Sequence, residues 1–112
     1  MTTITDVFNH HFSSILAKDL DGIVEDYASD ATLFTPTAVM QGADAIREFM
    51  TGFMELLTPE FMSEFKLDSQ EIDGEYAYIT WNVGAAAPLG TDTFHIVDGK
   101  IVMQSFAAYM PS

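Results

Sequence analysis

The 112-residue sequence contains no cysteine and only four basic side chains, Lys18, Arg47, Lys66 and Lys100. Without cysteine there is no disulfide, no thiol nucleophile and no thiolate metal site. Seventeen acidic residues stand against those four bases, giving a formal charge of -13 at pH 7. A field of that sign repels phosphate backbones and anionic lipid headgroups, so no nucleic acid and no membrane surface is expected as a partner. No apolar run approaches the roughly 20 residues of a membrane span. The start MTTITDVFNHH lacks the basic flank and apolar centre of a secretory signal, which makes the cytoplasm the expected location. Also missing are a glycine-rich phosphate loop, a serine nucleophile elbow and a dinucleotide fingerprint. His10, His11 and His95 have no ligand spacing such as His-x-x-x-His, so neither a metal nor a cofactor is expected.

What is present is apolar pattern. At 48% hydrophobic residues the chain can bury one core, and residues 1–112 read as one domain. Thr3 to Asp6 has capping character, followed by Val7, Phe8, His11, Phe12, Ile15 and Leu16 on one helical stripe. His11 falls on that stripe, either as a core histidine or as a pocket group, while His10 leans toward solvent. Asp19 caps a second helix with Leu20, Ile23, Val24 and Tyr27 on its apolar face, ending near residues 28–30. A strand follows from Ala31 to Thr35, with Leu33 and Thr35 on one side, and Pro36 ends its pairing. Gly42 and Asp44 open a third amphipathic helix, and Thr58-Pro59 closes it.

The second half reads as strands. Phe61, Ser63, Phe65 and Leu67 alternate with polar neighbours, and Asp73-Gly74 marks a hairpin. In the next strand Ala77, Ile79, Trp81 and Val83 share a face opposite Tyr76, Tyr78, Thr80 and Asn82. Residues 84–90 form a small-residue bend. A strand over 91–97, a turn at Asp98-Gly99 and a closing strand over 100–110 complete the chain. Helices first and a strand meander afterwards is an α+β layout. Asp92 shares its face with Phe94 and Ile96, which read as core. A carboxyl there is costly unless paired, hydrogen-bonded or protonated, unless it sits hydrated at the frayed strand start.

The segment DLDGIVEDYASDAT, then a strand, then a Gly-x-x-Ala-Ile-Arg-Glu-Phe helix resembles the SnoaL-like and ketosteroid-isomerase-like branch of the NTF2-like superfamily, across nearly the whole chain. The resemblance implies a cone, three N-terminal helices packed on a highly curved, mostly antiparallel sheet, with a ligand cavity inside. It places the oxyanion-binding aspartate on Asp92, in Asp92-x-Phe94, and the family's tyrosine on His11. The family's general base falls on Thr35, whose hydroxyl has no useful basicity near neutral pH. The resemblance extends to Asp98-Gly99-Lys100-Ile101-Val102. Where related cyclases continue with a His-Trp-Asp type run, this chain has Gln104-Ser105-Phe106. His95 replaces a common arginine, on the face opposite Asp92.

Two functions follow as expectations. In the first, Asp92 and His11 perform acid–base chemistry, isomerase- or lyase-like, on a hydrophobic carbonyl or hydroxylated ring compound. The inward polar set is then His11, Thr35, Asp92 and Gln104, and the apolar wall comprises Ile15, Tyr27, Leu33, Met40, Phe49, Phe53, Trp81, Phe94 and Phe106. In the second, the chain is a non-catalytic ligand-binding or dimerisation module with a vestigial pocket. Apolar residues on the other strand faces, among them Tyr76, Tyr78, Ile101, Met103 and Tyr109, exceed what one core can bury and predict a homodimer through the outer sheet face.

Overall fold

Thr3 opens the first helix with a reciprocal cap, its hydroxyl accepting from the Asp6 amide at 3.0 Å while the Asp6 carboxylate accepts from the Thr3 amide at 3.1 Å. The structure, a computed structural model, describes residues 3–109. Met110, at the end of the expected closing strand, lies outside them.

Helix α1 spans Ile4–Leu16 and buries Val7, Phe8 and His11 of the predicted stripe together with Ser14, which lies off it, while Leu16 at the stripe's end is exposed. Helix α2, Leu20–Glu25, is capped by Asp19, whose carboxylate accepts from the Gly22 amide at 3.1 Å. It ends earlier than the periodicity predicts, and Tyr27 belongs to strand β1, Tyr27–Phe34, rather than to a helix stripe. The physical reason is at Asp26. Its carbonyl accepts from the Ile101 amide at 2.8 Å and its carboxylate meets His10 and His11, so the chain leaves the helix to join the sheet.

Strand β2, Val39–Gln41, pairs back on β1, and helix α3 runs over Ala43–Met54. Thr58-Pro59 then begins a helix instead of closing one. The Thr58 hydroxyl accepts from the Phe61 amide at 3.1 Å and Pro59 occupies the first turn of α4, Pro59–Glu64. The expected strand over 61–64 is therefore helical, and the chain carries four helices among its described residues. Alternation over so short a stretch cannot distinguish strand from helix when a cap precedes it.

Strands β3 (Phe65–Asp73), β4 (Tyr76–Val83), β5 (Ala87–Val97) and β6 (Lys100–Tyr109) follow as a meander. The sheet order is β2-β1-β6-β5-β4-β3, antiparallel except where β1 runs parallel to β6. Register shifts at Leu67/Ser69, His95/Ile96 and Tyr27/Thr32 curl the sheet around the helices. The shift between β5 and β6 also corrects one assignment: Ile101 pairs with Ile96 and is 1% exposed, so it lies inside, whereas Met103 pairs with His95. The core between sheet and helices is centred on Ile23, Leu33, Ile46, Ile96 and Ile101.

Candidate functional site

Strand alternation brings Gly90, Asp92 and Phe94 of β5 to the inner face, with Trp81 of β4 opposite Gly90 and Phe106 of β6 opposite Asp92. Gly90 has a packing reason to be glycine, since a Cβ there would sit 2.3 Å from the Trp81 indole carbons. The indole lies across that bare backbone, stacked on Phe106 with centroids 6.1 Å apart. From there its Nε1 donates to Asp92 Oδ1 at 2.8 Å, and Gln104 Nε2 donates to Asp92 Oδ2 at 2.8 Å.

Asp92 is thus a buried carboxyl, 8% exposed, clamped by one donor on each oxygen. Burial pushes its pKa up to about 6, and the two hydrogen bonds from Trp81 and Gln104 hold it from rising further. Behind Gln104 the polar contacts continue. The Tyr27 hydroxyl donates to Gln104 Oε1 and lies 3.4 Å from His11 Nε2. His11 Nδ1 is 3.1 Å from Asp26 Oδ2, and His10 Nδ1 is 2.7 Å from Asp26 Oδ1. One chain of side chains therefore runs from Asp92 through the core to the half-exposed His10. Burial, followed by the charges of Asp92 and Asp26, raises the Tyr27 pKa well above the usual phenol value, so this hydroxyl stays protonated and able to donate.

A cavity of about 90 Å³ lies over Asp92. Of the expected site residues, His11, Ile15, Leu33, Phe49, Phe53, Trp81, Asp92, Phe94, Gln104 and Phe106 line it. Thr35, Tyr27 and Met40 do not. Thr35 follows the end of β1, and its hydroxyl is tied into a turn, donating to the Ala38 carbonyl at 2.9 Å and accepting from the Ala38 amide at 3.0 Å. Tyr27 is buried behind Gln104 and His11, and Met40 sits in β2 beside Leu33. Sequence reasoning missed Phe61 and Met62 as lining residues because it read α4 as strand, although Thr58-Pro59-Glu60 carried the helix-start signal, and it also missed Phe65 at the start of β3. It also passed over Asp26, whose position beside two histidines arises only from the α1–α2 packing. Leu16, 49% exposed, borders the cavity.

The site offers one ionisable carboxyl in an apolar chamber. Both nitrogens of His11 have protein partners, and only its ring borders the cavity, edge-on to Phe94 at 5.8 Å. No helix of the described residues is long and apolar enough to cross a membrane.

Residues 8–104 match the family model of the SnoaL-like domain. Among curated proteins none matches the sequence. Similar solved structures include a putative polyketide cyclase from Sinorhizobium meliloti, at 21% identity, with a TM-score of 0.75 over 90% of this chain and 93% of that one. An NTF-2 like protein of unknown function from Burkholderia xenovorans gives 17% identity and a TM-score of 0.77, over 97% and 84% of the two chains. The epoxide hydrolase/cyclase-like enzyme SalBIII, of pyran ring formation in the polyether salinomycin, gives 17% and 0.74, over 96% and 91%. At such identities these likenesses show the NTF2-like fold alone.

Proposed function

Because the chain belongs to the SnoaL-like domain family, we propose that its cavity binds a small, largely apolar ring compound carrying a carbonyl or hydroxyl group, and that Asp92 meets that polar atom. The observation that carries this reading is a single carboxyl, clamped and buried, at the wall of an otherwise apolar cavity. A ring compound draws further support from the names of two similar structures, a polyketide cyclase and an enzyme of pyran ring formation. With a pKa of about 6, Asp92 is a carboxylate at neutral pH and is basic enough to take up a proton and return it. One group doing both is sufficient for an isomerisation or an elimination. His11 acts as a positioning residue, holding Asp92 through Tyr27 and Gln104.

A second reading, a ligand-binding module without turnover, is favoured by the Thr35 hydroxyl tied into its own turn and by Phe106 standing where related cyclases carry an acid. Trp81 is the sole tryptophan and lines the cavity, so its fluorescence reports occupancy directly. Titration with cyclic hydrocarbons, alcohols and ketones of one or two rings is expected to give saturable changes. Saturation by none of them refutes the binding reading. Deuterium entering the carbon next to the carbonyl group of a bound ketone from heavy water, and lost in Asp92→Asn, supports catalysis. Binding without exchange supports the module.

The chain further forms a homodimer through the outer face of β4, β5 and β6. Supporting this reading, Tyr76, Tyr78 and Tyr109 are 50%, 41% and 64% exposed on one broad face.

A further inference from the structure

We infer that the cavity selects a ligand whose polar atom is a hydrogen-bond donor, a cyclic alcohol or a phenol, over the ketone of the same ring. The inference rests on the binding reading above and narrows its substrate class.

It follows from counting donors and acceptors at the cavity wall. Trp81 has one N–H, and it is already given to Asp92 Oδ1. Gln104 gives one amide hydrogen to Asp92 Oδ2, and its carbonyl receives the Tyr27 hydroxyl. The Asp92 carboxylate fixes the amide orientation, because a reversed amide would aim its carbonyl at an anion that can only accept. Each Asp92 oxygen, by contrast, keeps a lone pair unused. A ligand therefore meets an anion with spare acceptor capacity, and one second amide hydrogen of Gln104 as the remaining side-chain donor of the clamp. A ligand hydroxyl gains a charge-assisted bond to the carboxylate, whereas a ligand carbonyl turns its negative end toward the same charge.

The other titratable groups packed about Asp92 are Tyr27 from β1 and His11 from α1, while α3 and α4 line the cavity with carbon and sulfur side chains alone, such as Phe49, Met50, Phe61 and Met62. Nothing on those helices offers a carbonyl a substitute donor. Protonating Asp92 turns one acceptor into a donor and removes the repulsion, so the preference weakens in acid.

Cyclohexanol, cyclohexanone and methylcyclohexane share one ring size and serve as probes, with Trp81 fluorescence as the readout. At about pH 8 the alcohol is expected to bind roughly tenfold or more tightly than the ketone, and at about pH 5 that ratio should shrink several-fold. In Asp92→Asn the preference should disappear at both values while methylcyclohexane binding is retained. Equal affinities, or a tighter ketone, at about pH 8 overturn the inference and leave the binding reading standing. Saturation by none of the three overturns both.

Discussion

Asp92 is a carboxyl that folding carries into an apolar chamber, and the cost of that placement depends on pH. Its folded pKa of about 6 lies above the ordinary 3.8, so between those values the folded chain binds more protons than the unfolded one. The contribution of Asp92 to stability is therefore most favourable below the lower value and falls as pH rises through the upper one, by up to about 3 kcal/mol. Across that window the urea midpoint of the wild type should decline relative to that of Asp92→Asn. A wild-type curve parallel to the variant's would show that Asp92 is not the group responsible. That Asp92 points inward was legible in the alternation of Asp92, Phe94 and Ile96. Its clamp was not, because Trp81 and Gln104 reach it diagonally across two strand registers that no local pattern encodes. Thr35 shows the converse failure: alternation with Leu33 aimed it inward, but β1 ends one residue earlier and the hydroxyl serves a turn.

The elements around the cavity differ in how firmly they are held. Helix α4 buries no residue fully, yet it supplies Phe61 and Met62 to the cavity wall. Its N-terminal cap is thus a large part of what keeps it in place. Thr58→Ala should cost α4 about 1 kcal/mol. That loss should appear as faster amide exchange over 61–65 and weaker ligand binding, with little change in the global unfolding midpoint. A global loss of equal size would mean that α4 is part of the cooperative core. The β4–β5 pair is the opposite case. In Gly90→Ala the added methyl group collides with the indole of Trp81, a clash expected to cost about 1–3 kcal/mol. Displacing that ring toward solvent should shift its emission to longer wavelength and strip Asp92 of one donor. The α+β order, the hairpin at Asp73-Gly74 and the inner face of β4 were readable because turn residues and long alternation agree there. Helix α4 and the early end of α2 were not, since a six-residue helix has too few turns to show a period and tertiary pairing at Asp26 overrides the stripe.

At the scale of the molecule, apolar surface persists on a strongly acidic chain. The protein carries -13, yet the outward positions of β4, β5 and β6, from Tyr76 and Tyr78 through Thr93 and His95 to Met103, Ser105 and Tyr109, hold no carboxylate among the described residues. Carboxylates line one border of that face, since Glu71 and Asp73 of the edge strand β3 stand in register beside Tyr78 and Tyr76, and a Glu75 carboxylate oxygen lies 3.1 Å from His95 Nε2. In the dimer proposed above a second copy approaches over the carboxylate-free positions of β4, β5 and β6, where the tyrosines supply rigid apolar area to bury. Two like-charged protomers still repel at long range, so the dimer should tighten as salt screens that repulsion. Sedimentation velocity at low and high ionic strength is expected to show a monomer–dimer equilibrium moving toward dimer with salt. Tyr78→Glu, which adds a carboxylate beside Glu71 on that face, should shift the equilibrium to monomer without unfolding the chain. A monomer at every concentration and ionic strength would exclude this interface, and the exposed tyrosines would then need another explanation.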